Sequence, residues 1–210
     1  MKAKRVMYIP GVGIDIEKIR NLSINSIEKR KSIGVDEEKF LLLSGGELNN
    51  NKNHKIIIKS LKDLEEKITY VIAGKGKNKE KLEKLARENN VDLVLLGYRS
   101  DVLELYKCAD CFCLPSIREG LNVSIMEAMA NQLPVICSKI RGNIDLIDSY
   151  GGFLCNPFDS NDFRSAILDI VKRDKEMMGQ YNLKKIENFS KEYVDLEMSK
   201  IYKNIFEDIE

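Results

Sequence analysis

Short, strongly apolar runs alternate with longer stretches of mixed apolar and charged residues through most of the chain. RVMYI (5–9), KFLLLS (39–44), ITYVIAG (68–74), VDLVLLG (91–97), DCFCLPS (110–116), LPVICS (133–138) and GFLCN (152–156) read as strands. Several are apolar at consecutive positions, as in parallel strands covered by helices on both faces. The stretches between them, near 23–33, 53–65, 78–90, 100–108, 122–131 and 143–149, carry helical spacing. Ser100 before DVLELYKCA and Asp159/Ser160 before FRSAILDIVK are candidate N-caps, and Gly34 is a candidate C-cap. The alternation predicts a doubly wound α/β domain, its parallel sheet flanked by helices on both faces. Strands stop after about residue 156. From Ser160 onward the pattern predicts two or three consecutive helices, a helical C-terminal tail ending in YVDLEMSKIYKNIFEDI. There is no internal repeat and no low-complexity tract, and NNNKN (49–53) is only a polar loop.

Composition narrows the partners. A chain of 210 residues with 43% hydrophobic positions can bury a full core. Its 34 Lys and Arg against 33 Asp and Glu leave a formal charge of +1, too balanced for a protein whose main partner is a nucleic acid. Any bound anion must therefore be met by local groups. The start MKAKRVMYIPGVG lacks a signal peptide's apolar centre, and no run approaches the roughly 20 apolar residues of a membrane span. A cytoplasmic location is expected, with peripheral attachment at the inner membrane face as a variant of it. Five cysteines (Cys108, Cys111, Cys113, Cys137, Cys155) do not suggest a secreted disulfide framework. The CxxC of Cys108 and Cys111 has no second pair or nearby His to complete a zinc site. Buried, reduced thiols are expected, and no metal site.

In open α/β sheets ligands sit at the carboxyl ends of strands, and three loops there carry candidate chemistry. SGGELNNNKNH (44–54) offers paired glycines, Gly45 and Gly46, for close backbone approach and Lys52 just before a helix. It reads equally as a tight turn and a solvated loop. AGKGKNKEKL (73–82) has Gly-x-Gly but neither a Walker pattern nor GxGxxG, because Lys79 stands at the last glycine. A turn leading into a charged helix face is the better reading. The third, PSIREGLNVSIMEAMANQLPVI (115–136), places Glu119 in a loop and Glu127 two turns on from it, inside an otherwise apolar helix that begins near Asn122. Burying that carboxylate alone costs several kcal/mol, on the order of the usual unpaired-charge penalty, so it needs a partner. Ligand hydroxyls are one candidate, and the helix N-terminus is an anion site. The plainer alternative is an exposed loop glutamate and a salt-bridged helix glutamate.

The series of motifs resembles family 4 (group 1) glycosyltransferases of the two-domain GT-B fold. Glu119 and Glu127, with seven residues between them within EGLNVSIMEAMA and followed by LPVI, look like that family's donor-site signature. IPGVGID (9–15) looks like the start of its C-terminal domain, and GGELNNNKNH like its Gly-rich loop with a phosphate-binding lysine. LGYRSDVLELYKCADCFCLPS resembles its central strand–helix–strand, and RGNIDLI and GGFLCNPFD its closing loops. The GELN version is similar to capsule- and exopolysaccharide-type members.

The resemblance implies a Rossmann-like donor-binding domain over 16–189, preceded by a linker and first strand (1–15). A C-terminal helix (190–210) would pack toward an N-terminal acceptor domain, supplied in cis or in trans. It implies a nucleotide diphosphate sugar as ligand, a UDP-sugar foremost, and a saccharide or lipid-linked acceptor. It further implies retaining, metal-independent transfer in surface polysaccharide synthesis, with Lys52 and Glu119 as the catalytic pair. Glu127 would hold the ribose and Glu119 the sugar hydroxyls. The N–H groups of Gly120, Leu121, Asn122 and Val123 would hold the diphosphate beside Gly45, Gly46 and Lys52, with Tyr98 and Arg99 at the base. Glu47 departs from the pattern, since many members carry Arg there. A nucleotide-sugar-binding remnant without transfer activity is the alternative, and an epimerase of similar fold is less favoured by the motifs. His54, the single histidine, is assigned no catalytic role. The apolar residues Val194, Ile201, Tyr202, Ile205 and Phe206 of the last helix are expected to be partly uncovered.

Overall fold

Leu41 through Leu43, Tyr70 through Ile72 and Cys111 through Leu114 have almost no exposed surface, which only a strand covered on both faces can achieve. A computed structural model of the chain describes residues 11–207, with side chains through residue 204. Its strands are β1 (Phe40–Gly45), β2 (Ile68–Ala73), β3 (Asp92–Gly97), β4 (Cys111–Leu114), β5 (Val135–Ser138) and β6 (Gly152–Cys155). They form one parallel sheet in the order β3-β2-β1-β4-β5-β6. The chain leaves the middle of the sheet in opposite directions from β1 and β4, so a crevice opens between the loops that follow them. The expected strand at 5–9 lies outside the described residues.

The helices are α1 (Ile16–Asn21), α2 (Ser26–Ser32), α3 (His54–Ser60), α4 (Lys79–Glu88), α5 (Val102–Cys108), α6 (Val123–Ala130) and α7 (Arg141–Ile144). The tail adds α8 (Ser160–Lys172), α9 (Lys175–Ile186) and α10 (Lys191–Glu207). One face of the sheet packs against residues of α1, α5, α6 and α9 and against Ile33 and Val35 after α2, with Phe112, Leu114, Ile125 and Met129 at its centre. The other packs against α3, α4 and α8 around Leu42, Ile57, Ile72 and Phe163. Both faces of the predicted two-sided core are thus present.

Caps follow the expected chemistry at two of three places. Asp159 accepts from the Asn161 N–H at the start of α8, and Gly34, at φ +77°, ends α2 with Val35 N–H donating to the Arg30 carbonyl. Ser100 is not the cap of α5. The capping position falls to Asp101, whose side chain is taken instead by Arg99 and Lys29. The helix expected at 143–149 begins earlier and is shorter, spanning Arg141–Ile144. Helix α1, set by Ile16 and Ile19 facing the core and by Asp15 accepting from Lys18 N–H at 2.8 Å, was not among the expected elements.

Ile14 lies in parallel register with Ser190, donating its N–H to the Phe189 carbonyl at 3.0 Å and accepting from Lys191 N–H at 2.9 Å. Along α10, Val194 is buried, so it does not belong to an uncovered stripe, whereas Leu196 and Tyr202 are each 54% exposed. Ile201 is half-buried, and the side chains of Ile205 and Phe206 lie outside those described.

Candidate donor site

The loops after β1 and β4 meet at the crevice and are stitched together by backbone. Ile117 N–H donates to the Asn51 carbonyl at 2.8 Å, and the Asn51 amide donates to the Arg118 carbonyl at 3.0 Å. Within this frame Lys52 Nζ sits 2.7 Å from Glu119 Oε1, an ion pair joining the two loops with both side chains largely withdrawn from solvent. The Lys52 N–H is held by Asn49 Oδ1 at 2.9 Å. Gly46 is required here for two reasons. Its φ of +129° suits glycine alone, and a Cβ would press to 2.9 Å from Lys52 Cε, displacing the lysine stem that lies across it. Gly45 ends β1 without a positive φ.

Three further glycines, two of them in the loop that reads as a simple turn, set the height of these loops. A Cβ on Gly74 would collide with the Gly46 carbonyl oxygen, and one on Gly76 with the backbone of Leu48. The same contact is sealed by Leu48 N–H donating to the Lys75 carbonyl and Asn78 N–H to that of Leu48. On the far side Gly142, in α7, lies against the Gly120 carbonyl so closely that a Cβ there would collide with it. The Gly-x-Gly of 74–76 is therefore a packing device for its neighbour loop.

Helix α6 starts at the mouth. Asn122 is its N-cap, Oδ1 accepting from Ile125 N–H at 3.4 Å, and among the described residues no backbone carbonyl takes the N–H groups of Gly120 to Ser124. Nothing would obstruct a side chain at Gly120, so open space lies beside the first of these residues. A helix N-terminus with free N–H groups attracts an anion through both hydrogen bonding and the helix dipole. Two turns on, Glu127 is half-buried, and burial raises its carboxyl pKa while the neighbouring Tyr106 hydroxyl acts in the opposite direction. Tyr106, itself fully buried, donates to the Ser124 carbonyl at 3.2 Å. Among the described residues Glu127 has no salt bridge, unlike the plainer sequence alternative for it.

The remaining expected residues are placed less centrally. Glu47 is exposed and its carboxylate accepts from the Asn49 amide at 2.8 Å, contributing no cation. Tyr98 and Arg99 stand at the carboxyl end of β3, two strands from β1. Tyr98 is 73% exposed with Lys75 Nζ 5.8 Å from its ring centre, and Arg99 is paired with Asp101. Leu121 and Val123 are 40% and 43% exposed beside the crevice. The five thiols are free and buried, their pKa values pushed up by burial, to about 11 at Cys108 and about 12 at Cys155. Among the described residues no cluster of His, Cys, Asp and Glu could hold a metal ion, and no helix is long and apolar enough to cross a membrane.

Comparison with known proteins accords with this geometry. The family model for glycosyl transferases group 1 matches residues 25–185. The putative glycosyltransferase EpsD of Bacillus subtilis (strain 168) is 33% identical over 207 residues, covering 94% of this chain and 54% of its own length. The Escherichia coli UDP-Gal:alpha-D-GlcNAc-diphosphoundecaprenol alpha-1,3-galactosyltransferase is 28% identical, covering 93% of this chain and 56% of its own. The crystal structure of Anabaena HepE in complex with UDP matches the fold with a TM-score of 0.84 at 20% identity, over 91% of this chain and 56% of that one. The chain spans about half the length of the curated relatives it matches. With its Rossmann-like sheet, its switch-point crevice and a family match over most of its length, this chain belongs to the group 1 glycosyltransferases.

Proposed function

We propose that the chain is the donor-binding half of a glycosyltransferase that takes a sugar from a nucleotide diphosphate sugar, with uridine as the base. The observation that carries the reading is the Lys52–Glu119 pair at the crevice beside the unpaired N–H groups at the start of α6. A diphosphate bound there receives those N–H groups and competes with Glu119 for Lys52. Glu119, released from the lysine, is then free to accept from sugar hydroxyls, so ligand binding converts an internal ion pair into two ligand contacts. Glu127 accepts from the ribose hydroxyls, and Tyr98 and Arg99 border the base. Glu47 supplies no second cation, which places the charge compensation on Lys52 and the helix end.

Transfer breaks the bond between the anomeric carbon and the diphosphate oxygen and forms one to an acceptor hydroxyl. The leaving group takes the electron pair, and Lys52 with the α6 N–H groups stabilises its growing charge from fixed positions, as an oxyanion hole does. No step calls on a metal, and we assign retention of configuration. The relatives' names, with their diphosphoundecaprenol acceptors, support a lipid-linked or saccharide acceptor, and we assign the chain a part in surface polysaccharide synthesis at the cytoplasmic face of the membrane. An acceptor domain, in cis or in trans, supplies the other wall, and the exposed Leu121, Val123, Leu196 and Tyr202 suit such a contact.

Calorimetry of UDP binding in EDTA tests the reading. Binding is expected without divalent ions, and Lys52→Ala should weaken it by about 1.5–3 kcal/mol, the scale of a charge-assisted hydrogen bond. Binding that requires Mg²⁺ or Mn²⁺, or that is indifferent to Lys52, overturns it.

A further inference from the structure

The hydrogen-bond ladder between β1 and β4 ends early. Its register runs Leu42–Cys111 and Leu43–Phe112 and goes no further, whereas β1 stays paired with β2 up to Gly45–Ala73. Beyond Phe112 the two strands that border the crevice are tied by side chains instead. Ser44 Oγ, fully buried, donates to the Cys113 carbonyl, Tyr70 Oη of β2 donates to Ser44 Oγ at 3.1 Å, and His54 Nδ1 lies 2.9 Å from Tyr70 Oη. The chain crosses β4, β1, β2 and α3 in one line beneath the crevice.

Its direction is fixed by chemistry. A carbonyl only accepts, so the Ser44 hydroxyl hydrogen goes to Cys113. Ser44 Oγ then takes its hydrogen bond from Tyr70, which leaves the Tyr70 oxygen as an acceptor. His54 must therefore carry its proton on Nδ1 and donate it to Tyr70, while Nε2 is a bare acceptor with no hydrogen-bond partner among the described residues. His54 is 1% exposed, and burial together with the Lys52 charge lowers its pKa to about 3, so the ring stays neutral and the line stays intact at physiological pH.

We infer that His54 is a positioning residue, which sets the stance of Lys52 by anchoring the end of the Gly-rich loop to both strands of the crevice. Lys52, Asn53 and His54 are consecutive. Asn53 adopts a left-handed φ of +54° and donates to the Pro157 carbonyl at 2.8 Å, and the Lys52 N–H is held by Asn49. With His54 fixed to Tyr70, the backbone on the C-terminal side of Lys52 has no freedom, and its ammonium reaches Glu119 from a set origin. The tie between Ser44 and Cys113 holds the β4 end, and so the Glu119 loop, to the same reference. The inference concerns the same site and rests on its reading as a diphosphate pocket.

Three measurements test it. Nitrogen-15 NMR of the imidazole in the unliganded chain should show the Nδ1–H tautomer, unchanged from pH 7 to pH 5. An Nε2–H tautomer or a cationic ring in that range overturns the assignment, and this result needs neither a variant nor a ligand. His54→Phe and Tyr70→Phe should each weaken UDP binding about fivefold to tenfold, the scale of one buried hydrogen bond, with His54→Asn, which keeps a donor, losing less. On a Lys52→Ala background the His54→Phe loss should vanish, because the histidine acts through the lysine. An equal loss on both backgrounds, or none on the native one, refutes the role. Should the native chain fail to bind UDP, the donor-site reading falls but the positional claim is still decided. Amide hydrogen exchange across 46–53 should quicken in His54→Phe and Tyr70→Phe, and unchanged protection there defeats it.

Discussion

His54 and Glu127 are both titratable groups drawn out of water, and they diverge because their surroundings do. The His54 ring is neutral in the folded chain and has its pKa lowered to about 3, against an ordinary value near 6.5 in the unfolded chain. Protons therefore bind the unfolded state first as pH falls below about 6.5. Stability from this group is complete above that pH and declines toward the folded pKa by about 1.4 kcal/mol per unit. Urea denaturation at pH 7 and pH 5 should show the native chain losing roughly 2 kcal/mol that His54→Phe does not lose. Parallel losses in both proteins count against the buried neutral ring. Glu127 has its pKa raised, chiefly by burial. Glu127→Ala removes that desolvated carboxylate and inserts the best helix former, so the fold should keep its melting temperature. UDP affinity should fall by about 1.5–3 kcal/mol through the lost ribose contact. A lowered melting point with unchanged affinity would make Glu127 a structural residue.

At the level of elements, loops here are positioned by glycine contacts as much as by side-chain bonds. Gly74 has the Gly46 carbonyl where its Cβ would stand, and Gly142 has that of Gly120. Gly142→Ala should push the Glu119–Gly120 loop off its perch and reduce UDP binding while leaving the secondary structure intact. Circular dichroism alongside calorimetry separates those effects, and undiminished binding argues against the contact. Strands β1, β2, β4 and β5 are legible in the sequence because burial on both faces leaves an uninterrupted apolar run. Glu127 stands out because a carboxylate in an apolar helix needs an explanation, and Lys52 and Glu119 because they sit in loops at the carboxyl ends of strands. Other features depend on contacts between distant segments, which no local pattern records. The Ser100 cap fails because Asp101 is drawn to Arg99 and Lys29, and the latter comes from 72 positions earlier in the chain. The hydroxyl that acts on the Glu127 carboxyl comes from Tyr106 on another helix, and the role of Gly74 and Gly76 lies in the loop they lean on. Helix α1 is six residues long with only two core-facing positions, too short for its period to stand out.

For the molecule as a whole, the proposed reading makes the described residues one wall of a cleft. Holding two substrates in one water-excluded place can supply roughly 7–11 kcal/mol of barrier reduction. The 210-residue chain on its own should therefore bind UDP-sugars in EDTA yet transfer sugar negligibly to saccharide or lipid-linked acceptors. Robust turnover by the purified monomer contradicts the half-site reading. The seam between Ile14 and Ser190 has a separate bearing on how such a unit can be handled. Because Ile14 is bonded to both Phe189 and Lys191, two stretches of polypeptide far apart in sequence run side by side at this seam, as though through a single doorway. A segment cut at these two positions is a cassette. It can be spliced into a foreign scaffold through one short double tether, or circularised there and reopened at a surface turn.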